Sequence, residues 1–443
     1  MTFSPASFAS QLPHLGSGIW WVALSGGLDS CVLLHALVYL DLPVQIRALH
    51  VNHQISPNAN AWQQHCTDLC ERLNVPFTAE RVRVENRGRG IEDAAREERY
   101  RVFERHIGAN DALLTAHHAN DQAETLLLRL LRGTGPRGLA AMAQQRPLAS
   151  GILHRPLLAF SRADLEVYAK AQGLSWVNDE SNANDDYDRN YLRNQVMPLL
   201  SERWPSFPQK WQQTADLCAE YELLVGELAD EDLSRAGITP ELVGTSLSLK
   251  YLREISSVRR NNLIRAWLRK DQLSTPEQQH LDQIQRQLID GRQDAEAQVA
   301  WGNLSMRVYR ERIYALPLAD LPSVPESPPA LSSITELPSG FCLKMEPYDE
   351  SETPLLKADL PNLHCRFRIG GERCKPVGRA HSQTLKRLLQ EYGVAPWLRE
   401  SLPLIYSGDD LVAVADLWVC EGYQADSAGY RLKYERISKS ART

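Results

Sequence analysis

No Cys-x-x-Cys occurs among the eight cysteines of this 443-residue chain. Cys66 and Cys70 stand one helical turn apart, but no second Cys or His pair follows at zinc-finger spacing. A structural zinc module is therefore not expected, and reduced thiols are. No apolar run approaches the roughly 20 residues that a membrane-spanning helix needs. The stretch Met1 to Ser17 lacks the basic start and apolar core of a secretory signal. Excess positive charge is missing too. The 49 Lys and Arg stand against 55 Asp and Glu, a net charge of −6, which excludes a uniformly basic nucleic-acid coat and leaves room for local basic patches. Repeats are absent, and the one biased tract is rich in Pro and Ser, from Asp320 to Gly340. These absences point to a cytoplasmic protein with no membrane partner.

What is present is a globular composition, 43% hydrophobic and 23% charged, in a chain long enough for two or three domains. To about residue 215, strand-like and helix-like runs alternate. Ile19 to Leu24, Val44 to Val51, Phe77 to Val84 and Ala112 to Ala116 read as strands; Cys31 to Leu37, Pro57 to Leu73, Ile91 to Ile107 and Asp121 to Leu131 read as helices. This rhythm predicts a parallel sheet covered on both faces, with ligands outside the carboxyl ends of its strands. Beyond Trp211, the runs Leu217 to Asp230, Leu249 to Lys270 and Pro276 to Leu288 read as helices, and Ala297 to Leu316 as a short meander. The last hundred residues mix strands with one helix. The expected fold is α/β: a doubly wound parallel sheet in residues 1–215, a mainly helical middle domain in 216–318, a Pro/Ser-rich linker in 319–340, and a small α+β domain in 341–443.

The first strand runs into Ser25-Gly26-Gly27-Leu28-Asp29-Ser30 and then a buried-helix pattern. Glycines let backbone approach an oxyanion, and the unpaired N–H groups of the first helical turn point at it. Ser25 and Ser30 add hydroxyl donors. Asp29 has the wrong sign for phosphate and makes sense if Mg²⁺ lies between carboxylate and phosphate oxygens. There is no lysine of the Walker type. His50 and Asn52 share one side of the second strand's end and suit adenine or ribose recognition, or simple loop polarity. After the fourth strand, His117-His118-Ala119-Asn120-Asp121-Gln122-Ala123-Glu124 places two carboxylates at i, i+3. They are either a helix cap, with Asp121 as N-cap, or ligands for Mg²⁺ or a cationic substrate. Arg96 and Arg99 could reach a phosphate together. Arg189 and Arg193, at i, i+4, could neutralise a departing pyrophosphate or pair with Asp185 or Asp186. Residues 364–399 carry Arg366, Arg368, Arg373, Lys375, Arg379, Lys386, Arg387 and Arg399 against Glu372 and Glu391, locally +6, with Tyr392 and Trp397 interspersed. That pattern suits RNA.

The Ser25–Ser30 pattern resembles the PP-loop of the N-type ATP pyrophosphatases. Together with HVNH at His50–His53, AAREERY at Ala94–Tyr100, AHHANDQAET at Ala116–Thr125, RPLL at Arg155–Leu158, DESN…DRNYLRNQVMPLL at Asp179–Leu200, GGERCKPVGR at Gly370–Arg379 and LKRLLQEYGVAPWLR at Leu385–Arg399, it is similar to the tRNA(Ile)-lysidine synthetase family. The resemblance spans nearly the whole chain. It implies an ATP-dependent ligase acting on tRNA-Ile with a CAU anticodon: the wobble cytidine is adenylated, and free lysine then displaces AMP. It implies ATP on Ser25, Gly26, Gly27, Leu28, Asp29 and Ser30, with the lysine ammonium at Asp121 and Glu124. Arg189 and Arg193 would serve catalysis beside Asp29 and Asp121, and Mg²⁺ would sit at those two carboxylates. Arg366, Arg368, Arg373, Lys375, Arg379, Lys386 and Arg387 would grip tRNA. A homodimer is compatible with it. The family often has two adjacent aspartates where this chain has Asn120-Asp121, so the ligand role falls to Asp121. Two alternatives remain: a PP-loop tRNA thiolase, which usually needs paired cysteines, and a non-catalytic tRNA-binding protein.

Overall fold

The computed structural model describes residues 3–13, 18–85, 90–291, 297–349 and 353–437. The extreme ends of the two expected outer domains, residues 1, 2 and 438–443, lie outside them, as do residues 14–17 of the N-terminal stretch. The chain divides into two compact units between Leu224 and Val225.

The first unit opens with a short helix α1 (Pro5–Ala9), then β1 (Ile19–Ala23), α2 (Leu28–Tyr39), β2 (Gln45–Asn52), α3 (Ala59–Arg72), β3 (Phe77–Arg81), α4 (Ile91–His106), β4 (Ala112–Leu114) and α5 (Ala119–Leu131). A turn of helix α6 (Pro136–Leu139) leads to a hairpin, β5 (Gln145–Leu148) and β6 (Gly151–His154). The sheet order is β3-β2-β1-β4-β6-β5, parallel throughout except for β5. Neighbouring residues of β1 serve opposite faces. Trp20 and Val22 join Leu33, Leu34 and Leu37 of α2, while Trp21 joins Val102 and Phe103 of α4. Both faces are thus covered, as a parallel sheet requires. The strand order turns back between β1 and β4, and the crevice outside their carboxyl ends is the binding position of such folds.

The strands and helices through Leu131 lie where the alternation predicts, within a few residues. The β5–β6 hairpin was not expected. Pro147 interrupts its strand pattern, and its turn is made by Ala149 at φ 49° rather than by glycine. After β6 come α7 (Arg162–Ala171), a 3₁₀ turn at Glu180–Ala183, α8 (Asp188–Tyr191), a π-turn at Leu192–Val196, α9 (Met197–Arg203) and the long α10 (Phe207–Ala236), within which the two units divide.

In the second unit the helix expected from Leu249 to Lys270 is two, Leu249–Glu254 and Ser257–Lys270, the second capped by Ser256, and that expected from Pro276 to Leu288 is Gln278–Gln283 followed by a π-turn, Ile284–Ile289. They cover a five-stranded antiparallel sheet of Thr239–Pro240, Thr245–Ser248, Arg312–Pro317, Leu304–Tyr309 and Gln298–Trp301, in that spatial order, with Trp267 wholly buried between the layers. The expected meander supplies three of these strands. The Pro/Ser-rich stretch is a surface crossing whose end, Ile334–Leu337, alternates exposed and buried residues and pairs with Phe341–Tyr348. Asp320 anchors its start to Arg436 at 2.8 Å. Gly429–Arg436 completes that sheet, and Leu363–Arg366, Leu404–Ser407, Asp410–Val414 and Trp418–Val419 form another beside the helix Leu385–Glu391.

Trp397 joins the middle and C-terminal parts of this unit. Its ring meets Tyr314 edge-on at 4.9 Å and Tyr309 at 6.3 Å, with the Arg307 guanidinium 5.7 Å above it. Arg310 reaches across to the carbonyls of Gln390 and Glu391, the latter at 3.2 Å. Trp397→Ala is expected to destabilise this unit by about 3 kcal/mol, read as a lower urea midpoint for the transition that reports on residues 225–437.

Candidate active site

The turn after β1 is built as an anion cradle. Gly26 has φ 87°, and a Cβ there would meet Cys66 Sγ at 3.1 Å and Val177 Cγ2 at 3.2 Å, so only glycine fits. The Val177 N–H donates to the Gly26 carbonyl at 3.0 Å, and the Cys31 thiol to the same oxygen at 3.3 Å. Ser25 and Ser30 hydroxyls share a hydrogen bond of 3.0 Å, and Ser30 Oγ accepts from the Ser25 N–H at 3.2 Å. Gly27 caps α2 without a side chain, which leaves the N–H groups of its first turn open to a ligand. Asp29 sits in that turn. Its Oδ1 is buried and has no hydrogen-bond partner, and burial raises its pKa against the pull of His118.

The second corner, after β4, comes from α5. His118, not Asp121, is the N-cap: its Nδ1 accepts from the Asp121 N–H at 3.3 Å, and Asp121 Oδ2 accepts from the His118 N–H at 3.1 Å. Because Nδ1 accepts, the proton resides on Nε2, which lies 3.7 Å from Asp29 Oδ1 and 3.4 Å from Asp121 Oδ2. Asn120 is spent elsewhere, accepting from the Arg162 N–H at 3.0 Å where α7 begins.

Arg189 and Arg193 complete the cluster. Arg189 donates from Nε to Glu124 at 2.8 Å and from Nη2 to Asp121 Oδ1 at 3.1 Å. Arg193 donates from Nε to Glu124 Oε1 at 2.7 Å, and from Nη2 to Asp121 Oδ1 at 3.0 Å and Glu124 Oε2 at 2.8 Å. The expected partners Asp185 and Asp186 are not used; Asp185 instead takes Asn194 and Gln195. Burial opposes ionisation of Asp121, but His118, the two arginines and His117 outweigh it and hold the carboxyl well below the usual range. Both Asp121 oxygens are thus engaged, so Asp29, rather than Asp121, offers the vacant oxygen that a cation would take.

Two expected ligand residues prove internal. His50 donates or accepts at Nδ1 with the Leu24 carbonyl, 2.8 Å away. Asn52, only 1% exposed, gives its amide to Gln63 Oε1 at 2.9 Å and accepts from the Gln54 N–H at 3.0 Å. Alternation places them on one side of the strand but does not reveal that α3 covers that side, so the nucleotide-recognition expectation for these atoms is corrected. The basic tail is also more balanced than its sequence count. Arg366 meets Asp409 at 3.4 Å, Lys375 meets Glu421, and Arg379 and Arg387 share Glu391 at 3.0 and 2.9 Å. Arg368 approaches Glu372 at 4.0 Å. Among the described residues, Arg373 and Lys386 have no carboxylate partner; Arg373 donates to the Ser382 carbonyl at 3.1 Å.

A PP-loop domain family model matches residues 6–200, and two further models, the TilS substrate binding domain and the TilS substrate C-terminal domain, match 247–314 and 363–434. A tRNA(Ile)-lysidine synthase of Coxiella burnetii is 38% identical over 431 residues, covering 96% of this chain and 94% of its own. One of Yersinia pestis is 40% identical over 426 residues, covering 91% of each chain. The chain belongs to the tRNA(Ile)-lysidine synthase family. It is a ligase with an ATP-binding PP-loop domain. In this member of the lysidine synthases, the glycine turn, Asp29, His118, Asp121, Glu124, Arg189 and Arg193 form one connected polar system. The sequence places the glycine turn and the His117–Asp121 corner at the sheet edge and offers Arg189 and Arg193 as phosphate partners, but it reveals neither their pairing with Asp121 and Glu124 nor His118 as the link between the two aspartates. Adjacent His-His gives no signal of which ring caps the helix.

His117 lines the same crevice, 2.9 Å from Thr115 Oγ1, and burial pushes its pKa down to about 3. The folded value lies below the free one, so the unfolded chain takes up a proton that the folded chain refuses, and stability falls as pH drops from about 6.5 toward 3. His117→Asn removes this penalty. Between about pH 7 and pH 5 the variant is expected to lose on the order of 1–2 kcal/mol less stability than the parent, measured by urea unfolding at each pH.

Proposed function

We propose that the chain joins free lysine to C2 of the wobble cytidine in the CAU anticodon of tRNA-Ile, through an adenylated cytidine. Family membership supports the substrate. The observation that carries the chemistry is the buried Asp29 Oδ1, which accepts no hydrogen bond and has only the His118 ring near it at 3.7 Å, at the mouth of an anion cradle. Cytosine C2 is a poor electrophile and its oxygen a poor leaving group. In the first step that oxygen attacks the α-phosphorus of ATP, and pyrophosphate leaves. The ε-amine of lysine then attacks C2, and the oxygen departs as part of AMP.

In this reading the open N–H groups at Gly27 to Ser30 and the Ser25 and Ser30 hydroxyls hold the phosphates. Asp29 would hold Mg²⁺, which neutralises charge building on the phosphates. Arg189 and Arg193 use Nε and Nη2 on carboxylates, which leaves their Nη1 donors for phosphate charge. Asp121 and Glu124 are paired with these two arginines, while Asp29 has only the more distant pull of His118, Arg162 and Arg193, and a third carboxylate without a bonded cation favours a further one. We assign the lysine ammonium to Asp121 and Glu124, where it would take the place of an arginine donor, because all four of these oxygens already accept hydrogen bonds. Residues 1–215 would perform the chemistry, and 216–318 with 341–443 would grip the tRNA in the cytoplasm. Every group named comes from one chain, so the scheme needs no second subunit and a homodimer would be additional to it. The thiolase alternative loses ground on the cysteines nearest the crevice: burial pushes the Cys31 and Cys70 thiols up to about 12 and that of Cys66 higher still, the reverse of what sulfur transfer needs.

Asp29→Ala is expected to lower AMP formation with tRNA and lysine by at least about a hundredfold, while tRNA affinity stays within about twofold. Normal pyrophosphate–ATP exchange in that variant would sink the reading. For the tail, Arg373→Glu with Lys386→Glu is expected to weaken tRNA binding and to reduce the slope of log K against log salt by about two. Lys375→Gln, whose partner is Glu421, is expected to do less.

A further inference from the structure

A cationic cluster lines the same crevice as Asp29. Tyr100, on α4, lines a cavity of about 190 Å³ together with Ser25, Asp29, Arg96, Arg99 and His117. The Arg96 guanidinium sits 5.0 Å from the centre of its ring, and that of Arg146, from β5, 5.1 Å. Arg155 stands close by, just past β6. It is 4% exposed, gives Nη1 to the Ala143 carbonyl at 2.5 Å, and keeps a buried Nε with no hydrogen-bond partner. Arg189 and Arg193 are neutralised by carboxylates; Arg96, Arg99, Arg146 and Arg155 have no ion pair with any described residue. Arg155 is buried, Arg146 half-buried, and Arg96 and Arg99 exposed; like charges gathered around one phenol with no carboxylate among them favour the arrival of an anion. Their crowding is felt by their neighbours. The Tyr100 phenol is lowered against burial by Arg96, Arg146 and Arg155.

We propose that Arg96, Arg146 and Arg155, organised by the Tyr100 ring, form a second phosphate subsite, separate from the glycine turn and across the cavity from it. Its ligand is a phosphate group of one of two sources: the RNA backbone beside the target base, or the pyrophosphate leaving the first step. The subsite rests on the ligase reading for these sources, but its existence is testable without turnover. Guanidinium–phosphate pairs are charge-assisted and bidentate, so each is sensitive to loss of one arginine.

The test uses the full chain and four variants: Arg96→Gln, Arg146→Gln, Tyr100→Phe and, as a control of equal charge change on the same helix, Arg101→Gln, whose partners are Glu97 and Glu98. Inorganic pyrophosphate is titrated calorimetrically without RNA, and a short anticodon stem–loop RNA is titrated without ATP at several salt concentrations. A fall of about tenfold in pyrophosphate affinity in Arg96→Gln and Arg146→Gln, with RNA binding unchanged, assigns the leaving group. A similar fall in RNA affinity with a salt slope reduced by about one assigns the backbone. Tyr100→Phe follows the arginines to a smaller extent, and Arg101→Gln follows neither. If both arginine variants bind both probes within about twofold of the parent, or if Arg101→Gln loses as much as they do, the subsite is overturned. Lysidine formation by the parent is measured alongside. Its absence would overturn the ligase reading while leaving the binding result to stand.

Discussion

A carboxylate buried as deeply as Glu124 must find cations, and it finds them in a segment more than sixty residues later in the chain. Its side chain is 2% exposed, and Arg189 and Arg193 grip it from both sides while sharing Asp121 Oδ1. Breaking one partner of such a set strands the others in a poor dielectric. That requirement ties the helical stretch beginning at Asp188 to the carboxyl edge of the sheet. Through the Asp121–His118 cap it also reaches Asp29. The crevice is therefore held by charge as much as by the hydrophobic layers behind it, and its groups are positioned before any substrate arrives.

The backbone at Arg193 shows how far that requirement reaches. Arg189 and Arg193 were expected on one face of a regular helix. They do face the same carboxylates, but Arg193 lies in a π-turn, Leu192–Val196, between α8 and α9. Such widened turns occur often at functional sites. Here the wide turn coincides with the residue that makes three of the five arginine hydrogen bonds to Asp121 and Glu124.

What could be read from the sequence was whatever is local. The glycine turn is specified by consecutive residues between a strand and a helix, so its site was visible, and the βα alternation placed β1 and β4 correctly. His50 and Asn52 were misjudged because strand alternation assigns a side and not its cover. The tail's charge was overcounted because Asp409 and Glu421 lie outside the basic segment and reach it only through sheet pairing and loop closure. The Tyr100 cluster was invisible as a unit. Its arginines come from positions 96, 99, 146 and 155, and the hairpin that delivers Arg146 follows no pattern the residues announce.

The crevice is electrically divided, and the division suits a reaction in which an anion must leave before an amine can act. One wall carries Asp121 and Glu124 bonded to Arg189 and Arg193, with His118 linking them to Asp29; the other carries four arginines with no ion pair among the described residues. A polyphosphate and an ammonium entering together would each neutralise the other in water and would need to be pulled apart to react in order. Opposed walls sort them without motion of the fold, because each ion is attracted to one wall and repelled by the other. In the proposed reaction the acidic wall would favour the charged amine, the form of lysine that cannot attack. On that proposal the nucleophile would shed its proton as it moves toward the base, since distance from carboxylates and nearness to guanidiniums both disfavour an ammonium.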